Sequence, residues 1–305
     1  MRLAGGLALA LLLALVGAAL LFLRTPEGGT PLAAPDLTGI AVEEIAFESD
    51  GLKLAAQLFR PEAEVVATAV IIQGSGESRR GNAWYLQVVQ ALTAKGVAVV
   101  LPDKRGSDAS EGDWRTSSFE ALARDARVAT GLMRDRFPDH PLTLIGMSQG
   151  GRIAPLAATE APKPDRVVSL SGGVERAFAS LVFEETNTLR QMGLPDVVAR
   201  GIAPLTAWHL REVRQAVFWA AVGDFDPLPH WAALDRPGLL LLGGLDRDDN
   251  LDVDRAVERI GNLQSDHIEL RVFEDLDHAL RRGGEDRIAD EVLESLVAFV
   301  GAGRL

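Results

Sequence analysis

Short, strongly apolar runs alternate with longer segments of helical periodicity along most of this chain. Several of these segments are continuous runs of β-branched residues or leucine, which are typical of strands buried on both faces of a sheet. The segments predicted as strands are residues 68–72, 97–101, 142–145, 166–171, 238–242 and 267–273. The helical segments are residues 82–95, 118–137, 151–160, 252–263 and 288–300. This alternation predicts an α/β protein with a mostly parallel central sheet and helices on both faces.

A β-hairpin is predicted ahead of the first buried strand. Residues 40–47 alternate between apolar and polar side chains, and residues 52–58 do so more loosely. Asp50-Gly51 separates the two segments and favours a tight turn.

Residues 174–237 break the alternation, because they contain only helix-like pattern. They fall between two predicted sheet strands and therefore indicate a helical cap inserted over the strand ends, the side on which open α/β sheets bind ligands. The cap contains Trp208, Phe218, Trp219 and Trp231. We expect one or two of these rings to face the cleft and the others to form the core of the cap.

The N-terminal residues 1–24 have the pattern of an export signal or a membrane anchor. Residues 3–23 are uncharged and follow Arg2, and as a helix they would be about 30 Å long, enough to cross a bilayer. The best small-residue cleavage site, Gly17-Ala18-Ala19, lies inside the apolar run, which favours an uncleaved anchor with the rest of the chain exported. A cleaved signal, giving a secreted or periplasmic protein, is the alternative.

Residues 25–39 are rich in glycine and proline and are interpreted as a linker, so the folded domain is predicted to span residues 40–305. A chain of 305 residues is long enough to bury a full core without metals or disulfides. It contains no cysteine, which excludes disulfides and cysteine catalysis. The net charge of -12 argues against a nucleic-acid partner and against docking on anionic lipid.

One short segment carries the strongest chemical signal. Gly146-Met147-Ser148-Gln149-Gly150 stands between a predicted strand and a predicted helix, which is the context that a G-x-S-x-G nucleophile turn requires. Ser148 would lie at the tip of the turn, with glycines where a side chain would collide with neighbouring backbone. The backbone N–H of Gln149 would then point to where negative charge develops on an attacked carbonyl. An ordinary turn between a strand and a helix is the alternative.

A serine nucleophile needs a histidine base and an orienting carboxylate, which follow it in the order acid, then histidine. Of the five histidines, His140 and His267 lie at the wrong ends of strands, and His209 and His230 lie in the cap. Elimination leaves His278, which follows the last strand, as the predicted general base.

The predicted acid is Asp246, because it comes directly after the preceding strand at the same end of the sheet. Asp248 and Asp249 are close enough in sequence to be rivals. The second oxyanion donor is predicted where the first buried strand opens into Gly74-Ser75-Gly76, as the backbone N–H of Ser75 or Gly76. Asp103 and Arg105, at another strand end, are interpreted as a structural salt-bridge and turn cluster.

These segments together resemble the α/β-hydrolase superfamily of serine hydrolases. The matching segments are Gln73-Gly-Ser-Gly-Glu, Asp103-Lys-Arg-Gly-Ser-Asp-Ala-Ser, Gly146-Met-Ser-Gln-Gly-Gly, Gly243-Gly-Leu-Asp246 and Asp277-His278. The second and third look like the branch of acyl-aminopeptidase-like and dienelactone-hydrolase-like esterases. The resemblance implies an α/β-hydrolase fold, the triad of Ser148, Asp246 and His278, and N–H donors from Gln149 and Ser75.

The chain departs from the resemblance at one place. Relatives often carry His-Gly-x-Gly-Pro at the first strand end, where this chain has Gln73 and Glu77. Main-chain donors should survive this change, whereas the acidic Glu77 disfavours anionic substrates.

The leading prediction is therefore a serine hydrolase that cleaves a carboxylic ester and needs neither cofactor nor metal. The alternative is a peptidase or amidase that uses the same triad and grips an amine with carboxylates of the cap. Those carboxylates, Glu184, Glu185, Asp224 and Asp226, are interpreted by default as solvated surface charges. A non-catalytic binding protein on this fold is the third possibility.

Overall fold

A computed structural model describes residues 31–301. The predicted signal or anchor, residues 1–24, and the first part of the predicted linker lie outside these residues. Among residues 31–301, no helix is long and apolar enough to cross a membrane. The rest of the linker lies on the folded domain, since the Ala33 N–H donates to the carbonyl oxygen of Asp286 (2.7 Å) and Gln87 Nε2 donates to that of Ala33 (2.8 Å).

An eight-stranded sheet forms the centre of the molecule. Its strands are β1 (Ala41–Ser49), β2 (Leu52–Arg60), β3 (Ala67–Ile72), β4 (Val97–Pro102), β5 (Leu142–Met147), β6 (Arg166–Leu170), β7 (Gly238–Gly243) and β8 (Ile268–Phe273). Their order is β1-β2-β4-β3-β5-β6-β7-β8. The strand β2 is antiparallel to both β1 and β4, and the pairs from β4 through β8 are parallel. The mostly parallel sheet and the N-terminal hairpin are thus as predicted.

Helices cover both faces of this sheet. They are α1 (Ala83–Thr93), α2 (Phe119–Arg136), α3 (Gln149–Ala158), α4 (Ala177–Gln191), α5 (Asp196–His209), α6 (Ala216–Val222), α7 (Leu228–Ala232), α8 (Val253–Gly261) and α9 (Asp290–Gly301). Apolar residues of α1 and α9 share one core cluster with Ile71, whereas those of α2, α3 and α8 share the other with Val70. Successive strand residues point to opposite faces, so the continuous apolar runs of the sequence fill both cores.

Several predicted boundaries have a visible physical cause. The side chain of Asn82 accepts a hydrogen bond from the N–H of Trp84 at the start of α1, and Ser118 accepts one from the N–H of Ala121 at the start of α2. Such side-chain acceptors satisfy N–H groups that have no partner in the first turn of a helix.

The cap, residues 174–237, contains α4 to α7 and a short π-helical turn at Leu210–Arg214. Trp231 is fully buried and Trp219 nearly so, whereas Trp208 is 55% exposed. The ring of Phe218 lies 6.2 Å from that of Trp114, which belongs to the domain below. Phe218, Trp219 and Trp231 therefore pack the cap or join it to the domain, whereas Trp208 lies at the surface.

Candidate active site

Ser148 occupies the sharp turn between β5 and α3. Its backbone lies in the left-handed region, at φ 51° and ψ −118°, which a residue with a side chain adopts only under strain. A Cβ atom at Gly146 would lie 2.1 Å from the carbonyl oxygen of Gly150, and one at Gly150 would lie 2.1 Å from that of Ile72. Both glycines are therefore required by the closeness of the neighbouring backbone.

The structure brings the three predicted side chains into one hydrogen-bonded row. His278 Nε2 lies 3.1 Å from Ser148 Oγ, and His278 Nδ1 lies 2.6 Å from Asp246 Oδ2. Asp246 lies in a turn that follows β7, and His278 lies in the loop that follows β8. Asp246 has no exposed side-chain surface, whereas its sequence rivals Asp248 and Asp249 are exposed.

Two glycines let the acid loop approach the histidine loop. A Cβ atom at Gly243 would lie 2.2 Å from the carbonyl oxygen of Asp277, and one at Gly244 would lie 2.6 Å from Cα of Glu274. The Gly243-Gly244 pair in the sequence thus permits the short distance between Asp246 and His278.

Opposing effects set the protonation of His278. Burial alone lowers its pKa, but the neighbouring carboxylates, first Asp246 and then Asp249 and Glu184, outweigh burial and raise the pKa above its ordinary value of 6.5. The imidazolium form is therefore stabilised at the place where His278 would accept a proton from Ser148. The ring of Trp84 lies 5.8 Å from that of His278 and forms one wall of the site.

The loop after β3 lies directly against the serine. A Cβ atom at Gly74 would be 3.4 Å from Cβ of Ser148. The loop is fixed by α1, because the N–H of Gly74 donates to Tyr85 Oη (2.9 Å). Ser78 Oγ also donates to the carbonyl oxygen of Gly74 (3.1 Å).

The predicted oxyanion donors are the N–H of Gln149, which directly follows Ser148, and that of Ser75 or Gly76 in the loop after Gly74. Within residues 31–301, neither the N–H of Ser75 nor that of Gln149 donates to a protein acceptor. Unused backbone donors are what an oxyanion hole requires, and the assignment of this role to Ser75 and Gln149 stays a prediction.

Sequence reasoning missed Lys104, which lies in the same neighbourhood. It follows β4, is 8% exposed, and donates from Nζ to the carbonyl oxygens of Gly74 and Gly76 and to Gln149 Oε1. Its position between Asp103 and Arg105 gave no separate signal, because a lysine beside two charged residues in a loop is ordinarily solvated.

Asp103 and Arg105 themselves form ion pairs away from the triad. Asp103 accepts from Arg80 Nε (2.9 Å) and from the N–H of Ala109 (3.1 Å). Arg105 donates to Asp125 at 2.6 Å and 2.7 Å. These contacts agree with a structural role, in which they hold the loop after β4.

The interpretation of the cap carboxylates as solvated surface charges was wrong. Glu185 is 3% exposed and Glu184 is half-buried, because α4 turns this face toward the domain. Burial raises the pKa of Glu184 to about 7, against the opposing effect of Arg152. Asp224 and Asp226 are each paired with an arginine.

The same helix holds the loop that carries the acid. The buried Asn187 donates from Nδ2 to the carbonyl oxygens of Arg247 (3.1 Å) and Asp249 (3.2 Å). Gln191 Nε2 donates to the carbonyl oxygen of Asp248 (3.0 Å). The position of Asp246 therefore depends on the docking of α4.

In the part of the chain that the structure describes, no group of three or more histidine, aspartate or glutamate side chains is arranged to hold a metal ion.

Sequence comparisons identify similar proteins over about half of the chain. A family model described as serine aminopeptidase, S33, matches residues 63–214. The monoglyceride lipases of Rattus norvegicus and Homo sapiens are each 28% identical over 138 residues. That region is 45% of this chain and 45% of each lipase, so the match spans less than half the length of these relatives.

Solved structures match nearly the whole chain. The Pyrococcus furiosus esterase Pf2001 has a TM-score of 0.62 at 17% identity, covering 90% of this chain and 97% of the esterase. The Pyrococcus horikoshii acylaminoacyl peptidase has a TM-score of 0.63 at 17% identity, covering 87% of this chain and 41% of the peptidase. A carboxyl esterase of Bacillus coagulans has a TM-score of 0.58 at 17% identity, covering 86% of this chain and 98% of the esterase. At these identities the likeness establishes a shared fold.

Proposed function

Since the chain belongs to the α/β-hydrolase superfamily of serine hydrolases, we propose that it cleaves carboxylic esters through an acyl-enzyme formed on Ser148. The observation that carries the proposal is the row from Ser148 Oγ to His278 Nε2 (3.1 Å) and from His278 Nδ1 to Asp246 Oδ2 (2.6 Å). A hydroxyl becomes a nucleophile when a base takes its proton and a carboxylate holds that base.

The row assigns one role to each side chain. His278 Nε2 accepts the Ser148 proton as Oγ attacks the ester carbonyl, and the N–H groups of Ser75 and Gln149 bind the oxyanion of the tetrahedral intermediate. His278 then gives the proton to the leaving alcohol. Asp246 keeps a proton on Nδ1 throughout, so that Nε2 is free to accept.

Water completes the cycle at the same atoms. It attacks the acyl carbon as His278 takes one of its protons, a second oxyanion forms in the same place, and the carboxylic acid leaves as Ser148 Oγ regains its proton. The chemistry requires no cofactor. The proposed substrate is a small-molecule ester, which agrees with the names of the similar lipases and esterases.

A peptidase or amidase on the same triad is the second candidate. The observation in its favour is Glu184, a half-buried carboxyl of the cap whose charge acts on His278 and which could receive a substrate amine. The serine aminopeptidase family model and the acylaminoacyl peptidase fold agree with it. A non-catalytic binding protein is the third, and an assembled serine–histidine–aspartate row disfavours it.

The deciding experiment is hydrolysis of p-nitrophenyl esters from acetyl to long acyl chains, beside aminoacyl p-nitroanilides, with Ser148→Ala as the control. Ester turnover that disappears in the variant supports the proposal, and anilide turnover alone supports the peptidase. A protein that turns over neither and does not react with a fluorophosphonate probe is a binding protein.

We also propose that residues 1–24 export the domain and anchor it to a membrane. The apolar run and the lack of a well-placed cleavage site support this. Fractionation tests it: an anchored protein stays in the membrane pellet after alkaline carbonate washing, whereas a cleaved one is found in the soluble periplasmic or secreted fraction.

A further inference from the structure

Lys104 is a buried lysine that the mechanism so far leaves without a role. It follows β4, at the same edge of the sheet from which Ser148, Asp246 and His278 emerge. Its Nζ donates to the carbonyl oxygen of Gly74, to that of Gly76 (3.2 Å) and to Gln149 Oε1 (3.2 Å). An ammonium has three donors, and all three point at the two segments that flank the serine.

The contact with Gly74 fixes the direction of a neighbouring donor. The carbonyl of Gly74 and the N–H of Ser75 belong to one planar trans peptide, so they point in opposite directions. When Lys104 draws that carbonyl toward itself, the N–H of Ser75 must point the other way. Within residues 31–301 this N–H donates to no protein acceptor and is free for a substrate oxygen.

The contact with Gln149 holds the other donor. Gln149 begins α3, and its backbone N–H has no protein acceptor among the residues that the structure describes. Its side-chain oxygen, Oε1, accepts a hydrogen bond from Lys104 Nζ (3.2 Å). The same ammonium therefore contacts both of the segments that carry the N–H groups of the proposed oxyanion hole.

The charge of Lys104 is not neutralised by a neighbouring acid. In the described part of the chain it takes part in no salt bridge, and Asp103 and Asp125, which line the same small cavity, are bound to Arg80 and Arg105. Burial lowers the pKa of Lys104 to about 7. A buried cation held only by carbonyl oxygens is costly for the fold, and an oxyanion formed nearby would be stabilised by it.

We propose that Lys104 is the positioning residue of the oxyanion hole: its ammonium holds Gly74, Gly76 and the Gln149 side chain so that the N–H groups of Ser75 and Gln149 face the reacting carbonyl oxygen. The inference rests on the serine hydrolase function proposed above. It extends that function because the residue acts through the backbone and not by touching substrate.

The test is Lys104→Met in the full chain, assayed with p-nitrophenyl acetate beside Lys95→Met, which changes an exposed lysine. Loss of one oxyanion donor costs about 10²–10³ in kcat, so we expect Lys104→Met to lose between about tenfold and hundredfold in kcat with KM changed by less than about threefold. Affinity for a trifluoromethyl ketone, which forms a tetrahedral oxyanion on the serine, should fall by a similar factor.

Chemical rescue separates the charge from a purely structural effect. Lys104→Ala should regain activity with propylammonium, and the unchanged protein at the same concentration controls for direct acceleration. Gln149→Ala keeps the backbone N–H, and as a single variant it should lose several-fold in kcat. Added to Lys104→Met, the same substitution should cause no further loss of kcat.

Two results overturn the inference while leaving the proposed function intact. One is a folded Lys104→Met protein that keeps kcat within threefold while Ser148→Ala is inactive. The other is a kcat loss with no change in trifluoromethyl ketone affinity and no rescue by propylammonium. If the unchanged protein has no Ser148-dependent turnover, the proposed function fails and the inference falls with it.

Discussion

Replacement of Asp246 by asparagine tests the proposed triad most directly. The substitution keeps the size of a side chain that has no exposed surface. Asp246 Oδ1 accepts a hydrogen bond from the N–H of Asn250 (3.1 Å), so an asparagine would keep its oxygen there and present its amide nitrogen to His278 Nδ1. An amide nitrogen donates, so Nδ1 would have to accept and the imidazole proton would move to Nε2. That nitrogen faces Ser148 Oγ at 3.1 Å and would no longer accept its proton.

The expected loss is large because the wrong tautomer removes general-base catalysis while the rest of the site stays in place. A wrong tautomer in a serine–histidine–aspartate row costs about 10⁴-fold in kcat, which corresponds to about 5 kcal/mol in the activation barrier. The substitution also removes the strongest influence that raises the pKa of His278. The little activity that remains should therefore depend on a group with a lower pKa.

The assay is the steady-state kcat for p-nitrophenyl acetate, with Asp248→Asn as the matched control, because Asp248 is an exposed carboxylate two residues away. We expect Asp248→Asn to keep kcat within about threefold, since exposed charges act weakly through solvent. The thermal midpoint of Asp246→Asn should confirm that the variant is folded. An Asp246→Asn protein with more than a tenth of the original kcat, or an equal loss in Asp248→Asn, would refute the assignment.

Three further predictions follow from the same geometry. Gly150→Ala should unfold the protein or cost more than about 3 kcal/mol in the free energy of unfolding, because its Cβ would lie 2.1 Å from the carbonyl oxygen of Ile72; Gly201→Ala, where nothing lies within 4 Å, should be neutral or stabilising in the same denaturant titration. The acidic limb of the pH profile of kcat/KM should rise through a pKa above 6.5, since the base must be neutral and the pKa of His278 is raised; a rise centred below 6.5 contradicts this. The alkaline limb should fall as Lys104, whose pKa burial lowers to about 7, loses its proton. The pKa of Lys104 falls from 10.5 to about 7 on folding. Between pH 7 and pH 10.5 the unfolded state therefore binds more protons than the folded state, and the free energy of unfolding should increase with pH. Urea titrations at pH 7 and pH 9 should show a smaller increase for Lys104→Met than for the unchanged protein.

The local pattern of the sequence was sufficient to predict the mostly parallel sheet and two side chains of the candidate site, Ser148 and His278. The glycines on either side of Ser148 indicate a tight turn between a strand and a helix. The structure shows that a Cβ atom at Gly146 or at Gly150 would collide with neighbouring backbone. His278 could be reached by elimination because only five histidines occur and one follows the last strand. These inferences depend on chain order and on which end of a strand a residue follows, which sequence alone supplies.

The same reasoning reduced the candidates for the acid to three aspartates but did not decide among them. Asp246, Asp248 and Asp249 lie within four residues, and strand position alone favours the first without excluding the others. The structure separates them because the turn at Gly244–Asp248 directs Asp246 inward to His278 and leaves the next two exposed. The direction of a side chain within a turn depends on backbone angles that neighbouring loops impose.

The sequence by itself determined the order of helices and strands along the chain, the burial of β3, β5 and β7, the strand-to-helix turn at Ser148 and the histidine that could serve it. Each of these depends on local periodicity or on a small number of candidates. Only the tertiary structure decided that Glu184 and Glu185 are withdrawn from solvent and that Lys104 is buried against Gly74, Gly76 and Gln149. A charged residue in a loop or on a helix has the same local pattern whether it is solvated or buried. What distinguishes the two is the packing of segments that lie far apart in the chain, such as β3, β4 and α3 around one ammonium group.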